Sequence, residues 1–540
     1  MTDSRSANSD AIDRFFENRK DVIFYFSLVL YVILSLLSFD AKLSIGADDA
    51  SYIVRANRLV SEGIFPTFQG PLYPIFLSPF VAVFGIKINL LKLLSLILGT
   101  GFLSLFYLSL RNRINALILS LTTVLIAVNS HLIHYSSQTY NEIFHLFIQL
   151  LFLYFFFQLV HKLGDSDTII KRDWKQWILI AFLSLLTVLS KNIGLALVLA
   201  VPFYFLFQKK FISSGIYLGL TGLFYLTFRF IRDLIWAVES PFERQGQVFL
   251  YKDPYNFSKG KEDVFGFLNR LYENSHIYLS KNFMKIMNIR DAEVTSRVEI
   301  ITYIIIVLFV FALFRAFKSN KVMLFICLYT AFTLGISFII LQTRWDSDRL
   351  IILMVPFMIL ILIYAFHELL NVFKKRYLGM AVYALITLLV FSNVQNSLSK
   401  VDILSMKKNL RGERYHGYTT DWVNYLKMSE WVSENLPEDQ YVAVRKQTMS
   451  IIFSGGRDFF SIARVPSNDA DTLLNRLKER GVTHVVMATL RRNPKEKTEY
   501  TINTVRRYLS IIEQKYPGTF YKVHQIGGSE PAQLFKIRYR

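Results

Sequence analysis

Long apolar runs, repeated along most of the chain and separated by short polar links, constrain this fold more than any other feature. The runs cover residues 22–39, 88–110, 114–131, 140–161, 175–190, 192–208, 212–230, 299–316, 321–341, 349–367 and 377–395. Most approach the ~20 residues that a helix needs to cross the hydrocarbon core of a bilayer. A chain with 48 Phe and 53% hydrophobic residues cannot hide that surface in a soluble core of ordinary composition. The reading is an α-helical polytopic membrane protein with eleven spans. The run 22–39 lacks a small-residue cleavage site and is too long for the apolar region of a signal peptide, so it reads as a retained anchor. A twelfth segment, "PLYPIFLSPFVAVFG" at 71–85, carries Pro71, Pro74 and Pro79. Its length and its prolines suit a re-entrant or interfacial element.

The basic residues then orient the spans. With the N-terminus cytoplasmic and 71–85 not crossing, five basic links face inward: Arg111–Arg113, the Lys162–Lys175 stretch, Lys209-Lys210, Arg315–Lys321 and Lys374–Arg376. If 71–85 crossed, all five would face outward. The expected layout is a cytoplasmic tail (1–20), a membrane part (21–395) with outer loops 40–87 and 231–298, and an outer C-terminal domain (396–540). A multi-pass plasma (inner) membrane location follows. The net charge of +20 is first a topology signal and an attraction to anionic lipid. Because the Lys and Arg lie in separate links, nucleic acid is not an expected partner. Cys327 is the single cysteine, so neither an intrachain disulfide nor a Cys-based metal site can form.

The C-terminal segment reads as a small α/β domain. "YVAVRK" is a strand, and "TLLNRLKERGVTHVVMA" is a helix, a Gly stop and a strand. "TVRRYLSIIEQKYPGTFYKVHQI" repeats that order, and "AQLFKIRY" is a last strand. No phosphate-cradling Gly-rich loop and no nucleophilic triad spacing is present. Its 24 Lys and Arg against 15 Asp and Glu suit anionic headgroups or an anionic substrate.

On this topology the outer ends of the spans gather charge. Asp48 and Asp49 follow the first span. Glu142 opens another, after His131 and His134, and Lys191, Arg229 and Arg232 lie on the same side. So does "QTRWDSDR", with Arg344, Asp346, Asp348 and Arg349. Charges beside a bilayer are expensive to desolvate, and such clustering points to a site at the outer interface. The ionisable residues avoid the span centres and no internal repeat is visible, which weighs against a transporter or flippase of lipid-linked saccharides. A surface-polysaccharide polymerase or ligase is the other alternative.

The segment "DDASYIVRANRLVSEGIFP" followed by "GPLYPIFLSPFVAVFG" resembles the first outer loop of GT-C fold glycosyltransferases. It is most similar to the group of dolichyl-phosphate-mannose protein mannosyltransferases and aminoarabinose transferases. That group has an acidic pair opening an interfacial helix, then a Pro-rich segment. "NEIF" at 141–144 and "DRLIILMVPFMILI" resemble its later outer-edge motifs, although Leu350 stands for the usual Tyr and only Pro356 of two prolines is present. The resemblance implies a GT-C-like membrane domain with interfacial helices and an inverting sugar transfer. The donor would be a polyprenyl-phosphate-linked sugar and the acceptor a glycan, lipid or protein.

The resemblance also implies roles for residues. Asp48 is the expected base, with Asp49 orienting its loop or binding acceptor. Arg349, Arg344, Lys191 and Arg232 are expected at the donor phosphate. Glu142, Tyr52, Arg55, Tyr73 and His134 are expected to line the site. No cofactor is certain. Some GT-C enzymes hold a divalent metal ion at the acidic pair, whereas the mannosyltransferase-like group generally does not.

Overall fold

The structure, a computed structural model, describes residues 3–67, 70–164, 170–236, 248–254, 256–290, 298–373, 376–462, 469–491, 501–502 and 504–539. Parts of the predicted outer loop 231–298 and Lys374-Lys375 of the last basic link therefore lie outside the described residues. The chain divides into two compact units. One contains residues 1–39, 65–75 and 92–402; the other contains 40–64, 76–91 and 403–540.

The first unit is helical. The eleven predicted apolar runs are largely helical, but 114–131 is split at Asn129 and 349–367 becomes α-helical only from Val355. Nine helices among the described residues are long and apolar enough to cross a membrane, where eleven spans are expected from the sequence. A tenth span results if Ala116–Val128 and Ser130–Ser136 count as one, bent by 60°. The bend has a local cause. Asn129 takes an extended conformation, and its side-chain oxygen accepts from the backbone N–H groups of His131 and Leu132, capping a new helix. Its amide also donates to the Ile286 carbonyl and to Asn393, which fixes the break inside the bundle. The segments Asn192–Phe207 and Leu72–Phe84 are the shorter apolar helices, and residues 76–84 of the latter are counted with the second unit. At ~1.5 Å per residue, the 13 residues of Leu72–Phe84 reach only about 20 Å, short of the ~30 Å hydrocarbon core. Its prolines do not break it. Pro71 precedes the first helical residue, Pro74 lies in the first turn where no N–H is needed, and only Pro79 is interior.

The core of this unit is aromatic. Phe156 on the helix Asn141–Leu163 packs against Tyr204, Phe205 and Phe325, and Tyr329 packs edge-on against Phe357. The polar links sort to two ends. At one end Lys20 reaches the Arg111 carbonyl, Asp21 pairs with Arg111, and Asn320 donates to the Arg113 carbonyl. Lys210 likewise donates to the Gly164 carbonyl. These contacts join links that the positive charge places together.

The second unit contains a five-stranded sheet: β1 (Tyr441–Val444), β2 (Phe460–Ser461), β3 (Val482–Ala488), β6 (Phe520–Ile526) and β7 (Ala532–Ile537), in the order β2-β1-β3-β7-β6. A separate pair, β4 (Leu490–Arg491) and β5 (Thr501–Ile502), is antiparallel. β1 is parallel to β2 and β3, while β7 is antiparallel to β3 and β6. The helices Ala470–Glu479 and Thr504–Lys515 carry strong apolar faces: Leu473, Leu477, Val505, Leu509 and Ile512 pack with Val482 and Val485. Gly481 lies at φ 65°, the left-handed stop expected after a helix. Residues 40–64, read from sequence as an outer loop of the membrane part, are compact with this sheet unit.

Candidate functional site

Seven of the eleven sequence-predicted residues fall into two groups, one in each unit. The first group lies on the helix Asp48–Ser61. Its N-cap residue, Ala47, offers no capping side chain and sits at φ 67°, a left-handed conformation that costs a non-Gly residue about 1 kcal/mol or more. The acidic pair divides its work. Asp49 is fully buried and accepts from the Ser44 N–H at 2.7 Å and the Ser44 hydroxyl at 2.9 Å, folding the loop onto the helix start. Asp48 is exposed. Tyr52 is buried one turn further on, and the Arg55 guanidinium lies 4.7 Å above its ring. Burial pulls the Arg55 guanidinium below its usual range, opposed by Tyr52 and by the charge of Asp48. Asp48, Tyr52 and Arg55 thus share a helical stripe at i, i+4 and i+7.

The Asp49 oxygens are committed to Ser44, and no group of three His, Cys, Asp or Glu able to hold a metal exists among the described residues.

The second group surrounds Glu142, at the first turn of the helix Asn141–Leu163, where a negative charge is favoured by the helix dipole. Glu142 is fully buried. One oxygen, Oε1, accepts from Lys191 Nζ at 2.7 Å and from Arg349 Nε at 2.6 Å. The other, Oε2, is buried with no hydrogen-bond partner among the described residues. The Arg349 guanidinium also lies 4.5 Å from the centre of the Tyr140 ring.

The link Ser190–Gly194 that presents Lys191 is built by close backbone approach. The Ser190 carbonyl accepts from the Asn141 side chain, and the Ser190 hydroxyl meets His145 Nδ1 at 2.7 Å. Gly70 of "GPLYP" sits at φ 89°, and a Cβ there would lie 2.1 Å from the Ser190 oxygen. Gly194 is equally tight: a Cβ there would lie 2.3 Å from the Thr187 oxygen. The Gly of the Pro-rich motif is therefore required because it lets the chain lie directly on the carbonyl before Lys191. Gly70→Ala is expected to cost about 1–3 kcal/mol from the left-handed backbone alone, plus the clash. Thermal unfolding of the purified protein checks this; an unshifted midpoint would contradict it.

A neighbouring ion cluster joins His131, Asp346 and Asp348, which the sequence marks at the outer span ends, to Lys281 and Lys285, which it does not. Asp348 pairs with His131 at 3.2 Å and Lys285 at 3.1 Å. Burial alone would raise the Asp348 carboxyl, but His131 and Lys285 outweigh it and hold it well below the usual carboxylate range. Lys281 and Asn282 bond Asp346, and Lys400 reaches the Ser130 hydroxyl. Lys281 and Lys285 lie four apart in a largely apolar stretch, a spacing that would have marked one charged helical face.

The remaining predicted residues are elsewhere occupied. Arg344 pairs with Asp253 at 2.6 Å, not with Glu142. Arg232 pairs with its neighbour Asp233 and lines a groove with Phe65, Pro71, Asn192, Tyr225 and Phe228. Tyr73 is buried, its ring against Phe144 and its hydroxyl 3.3 Å from Ser95. His134 is exposed beside Tyr135.

No family model matches the chain, and no curated protein matches it by sequence. Solved structures do resemble it. ArnT from Cupriavidus metallidurans, bound to undecaprenyl phosphate, matches with a TM-score of 0.56 at 12% identity, over 95% of this chain and 97% of that one. The oligosaccharyltransferase AglB from Archaeoglobus fulgidus, with an inhibitory peptide and a dolichol-phosphate, matches with a TM-score of 0.52 at 12% identity, over 87% and 70%. An Archaeoglobus fulgidus oligosaccharyltransferase tethered to an acceptor peptide matches with a TM-score of 0.55 at 13% identity, over 95% and 74%. At such identities the likeness is one of architecture, and by that architecture this polytopic chain has the fold of the GT-C glycosyltransferases.

Proposed function

We propose that the chain is a membrane glycosyltransferase that moves a sugar from a polyprenyl-phosphate-linked donor to an acceptor at the outer face of the membrane. The observation that carries this reading is the pair of cations fixed by one buried carboxylate: Lys191 and Arg349 on Glu142. A buried anion that pre-sets an ammonium and a guanidinium presents a rigid receptor for a phosphate, where neutralising developing charge is worth most. The architecture shared with proteins solved with lipid phosphates supports the same class of donor.

The chemistry balances without a further reagent. The acceptor hydroxyl or amine attacks the anomeric carbon as its proton passes to the exposed carboxylate of Asp48. The bond from that carbon to the phosphate oxygen breaks and its electron pair leaves on the polyprenyl phosphate, the class of anion that the Lys191 and Arg349 pair would hold. One displacement inverts the anomeric centre. Asp49, locked to Ser44, keeps the Asp48 backbone in place.

Purified protein in proteoliposomes should transfer labelled sugar from a polyprenyl-monophosphate donor and not from a nucleotide sugar. Transfer from the nucleotide sugar alone, or passage of the intact lipid-linked sugar across the bilayer without transfer, would reject the reading.

The proposed orientation has its own check. Cys327, the single cysteine, is buried, so the native protein should be silent to maleimide. Ser529→Cys, at an exposed position of the C-terminal domain, should label in intact cells with a membrane-impermeant maleimide. Labelling only after lysis would place that domain inside.

A further inference from the structure

The turn in front of the acidic pair spends its carbonyls on the C-terminal domain. Tyr418 holds Leu43 from both sides: its hydroxyl accepts from the Leu43 N–H at 2.8 Å and donates to the Leu43 carbonyl at 3.2 Å. Lys446 Nζ donates to the Ile45 carbonyl at 2.7 Å and approaches that of Gly46 at 3.4 Å. Thr448 reaches the Ala47 carbonyl at 3.4 Å. Further along the helix, Arg58 pairs with Asp458 at 2.6 Å, and Tyr441 donates to the other Asp458 oxygen at 3.0 Å.

These contacts converge on a strained segment. Ala47 is left-handed without a glycine, and such a conformation persists only where its surroundings over-determine it. Tyr418 and Lys446 grip the backbone on the chain's N-terminal side of Ala47, and Asp49 grips Ser44 from the other. Lys446 is partly buried, and burial pulls its ammonium below the usual lysine range, with Arg445 adding to this and Asp48 and Asp49 opposing it. An ammonium kept in so costly a place is doing more than filling surface.

We infer that the C-terminal domain is a positioning platform for the acidic pair: Lys446 and Tyr418, acting through the carbonyls and amide of Leu43–Gly46, set where Asp48 presents its carboxylate. Neither residue touches the reacting atoms, so both are positioning residues. The inference rests on the proposed role of Asp48 for its effect on turnover, but its structural half stands apart from that role.

The test uses the full-length protein. Lys446→Met should lower kcat about 10- to 100-fold while KM for the polyprenyl-phosphate donor stays within about threefold, as expected when a catalytic group is misplaced and substrate binding is not. Lys446→Arg, which keeps a cation on the same carbonyls, should recover most of the turnover. Tyr418→Phe, which loses both bonds to Leu43, should follow Lys446→Met. In parallel, hydrogen exchange of the amides 43–51 should quicken in Lys446→Met and Tyr418→Phe, with the sheet strands unchanged. Unchanged exchange and unchanged kcat would overturn the platform. Quickened exchange in the two variants, with a wild-type protein that transfers no sugar, would keep the platform and reject the proposed function. Loss of strand protection in both variants, with no rescue by arginine, would assign these residues to domain stability and overturn the inference.

Discussion

Asp48→Asn should reduce sugar transfer about 10²- to 10⁴-fold, the range lost when a positioned general base is removed. The substitution keeps size and shape, and Asp48 is exposed at the helix start, so the fold should be unaffected. Surface changes of this kind usually move stability by no more than about 0.5 kcal/mol. Donor KM should change little, because the base acts on the acceptor proton. The same change at Asp49 should behave differently. Asp49 is buried and holds the Ser44 N–H and hydroxyl, so Asp49→Asn should cost stability as well as turnover. Comparing the two variants by initial rate and by thermal unfolding separates a base from a loop anchor. Equal loss of stability in both, or full activity in Asp48→Asn, would remove Asp48 from the mechanism.

The second large effect is expected at Glu142. Glu142→Gln leaves Lys191 and Arg349 without the charge that holds them. Breaking a buried pair by removing one partner costs about 3–5 kcal/mol, and here two cations lose one carboxylate. Lys191 and Arg349 are each about one-fifth exposed, so water relieves part of that penalty and the lower end of the range is expected. Donor KM should rise at least tenfold, because a phosphate would meet two cations no longer fixed in direction. Arg349→Lys should also raise KM, since an ammonium cannot reproduce the guanidinium's contact with Glu142 and its place over Tyr140. Unchanged unfolding and unchanged KM in Glu142→Gln would mean that the ion cluster is dispensable.

The spans were largely legible because the bilayer imposes a length that the sequence must meet, and most of each predicted run is helical. The bend at Asn129 was not, since the capping of His131 and Leu132 depends on one side chain inside an apolar run. The C-terminal strands and helices followed from alternation and Gly stops, and these local signals survive in the sheet. The candidate site was half legible. Glu142, Lys191 and Arg349 were each marked as charges at span ends, and the structure joins them. Arg344 carried the same mark but pairs with Asp253, about 90 residues away, a choice no local pattern encodes. Tyr418 and Lys446 escaped notice because their partners, Leu43 and Ile45, lie 375 and 401 residues distant. The division within the acidic pair followed in principle from the ~100° between adjacent helical side chains. Which member turns inward was set by Ser44.

The most direct test follows a donor labelled in both its sugar and its polyprenyl phosphate through one reaction in proteoliposomes. The account predicts that each sugar transferred to acceptor is matched by one polyprenyl monophosphate released, with the anomeric configuration inverted. Labelled sugar that stays on its lipid while crossing the bilayer, or a product of retained configuration, would contradict it.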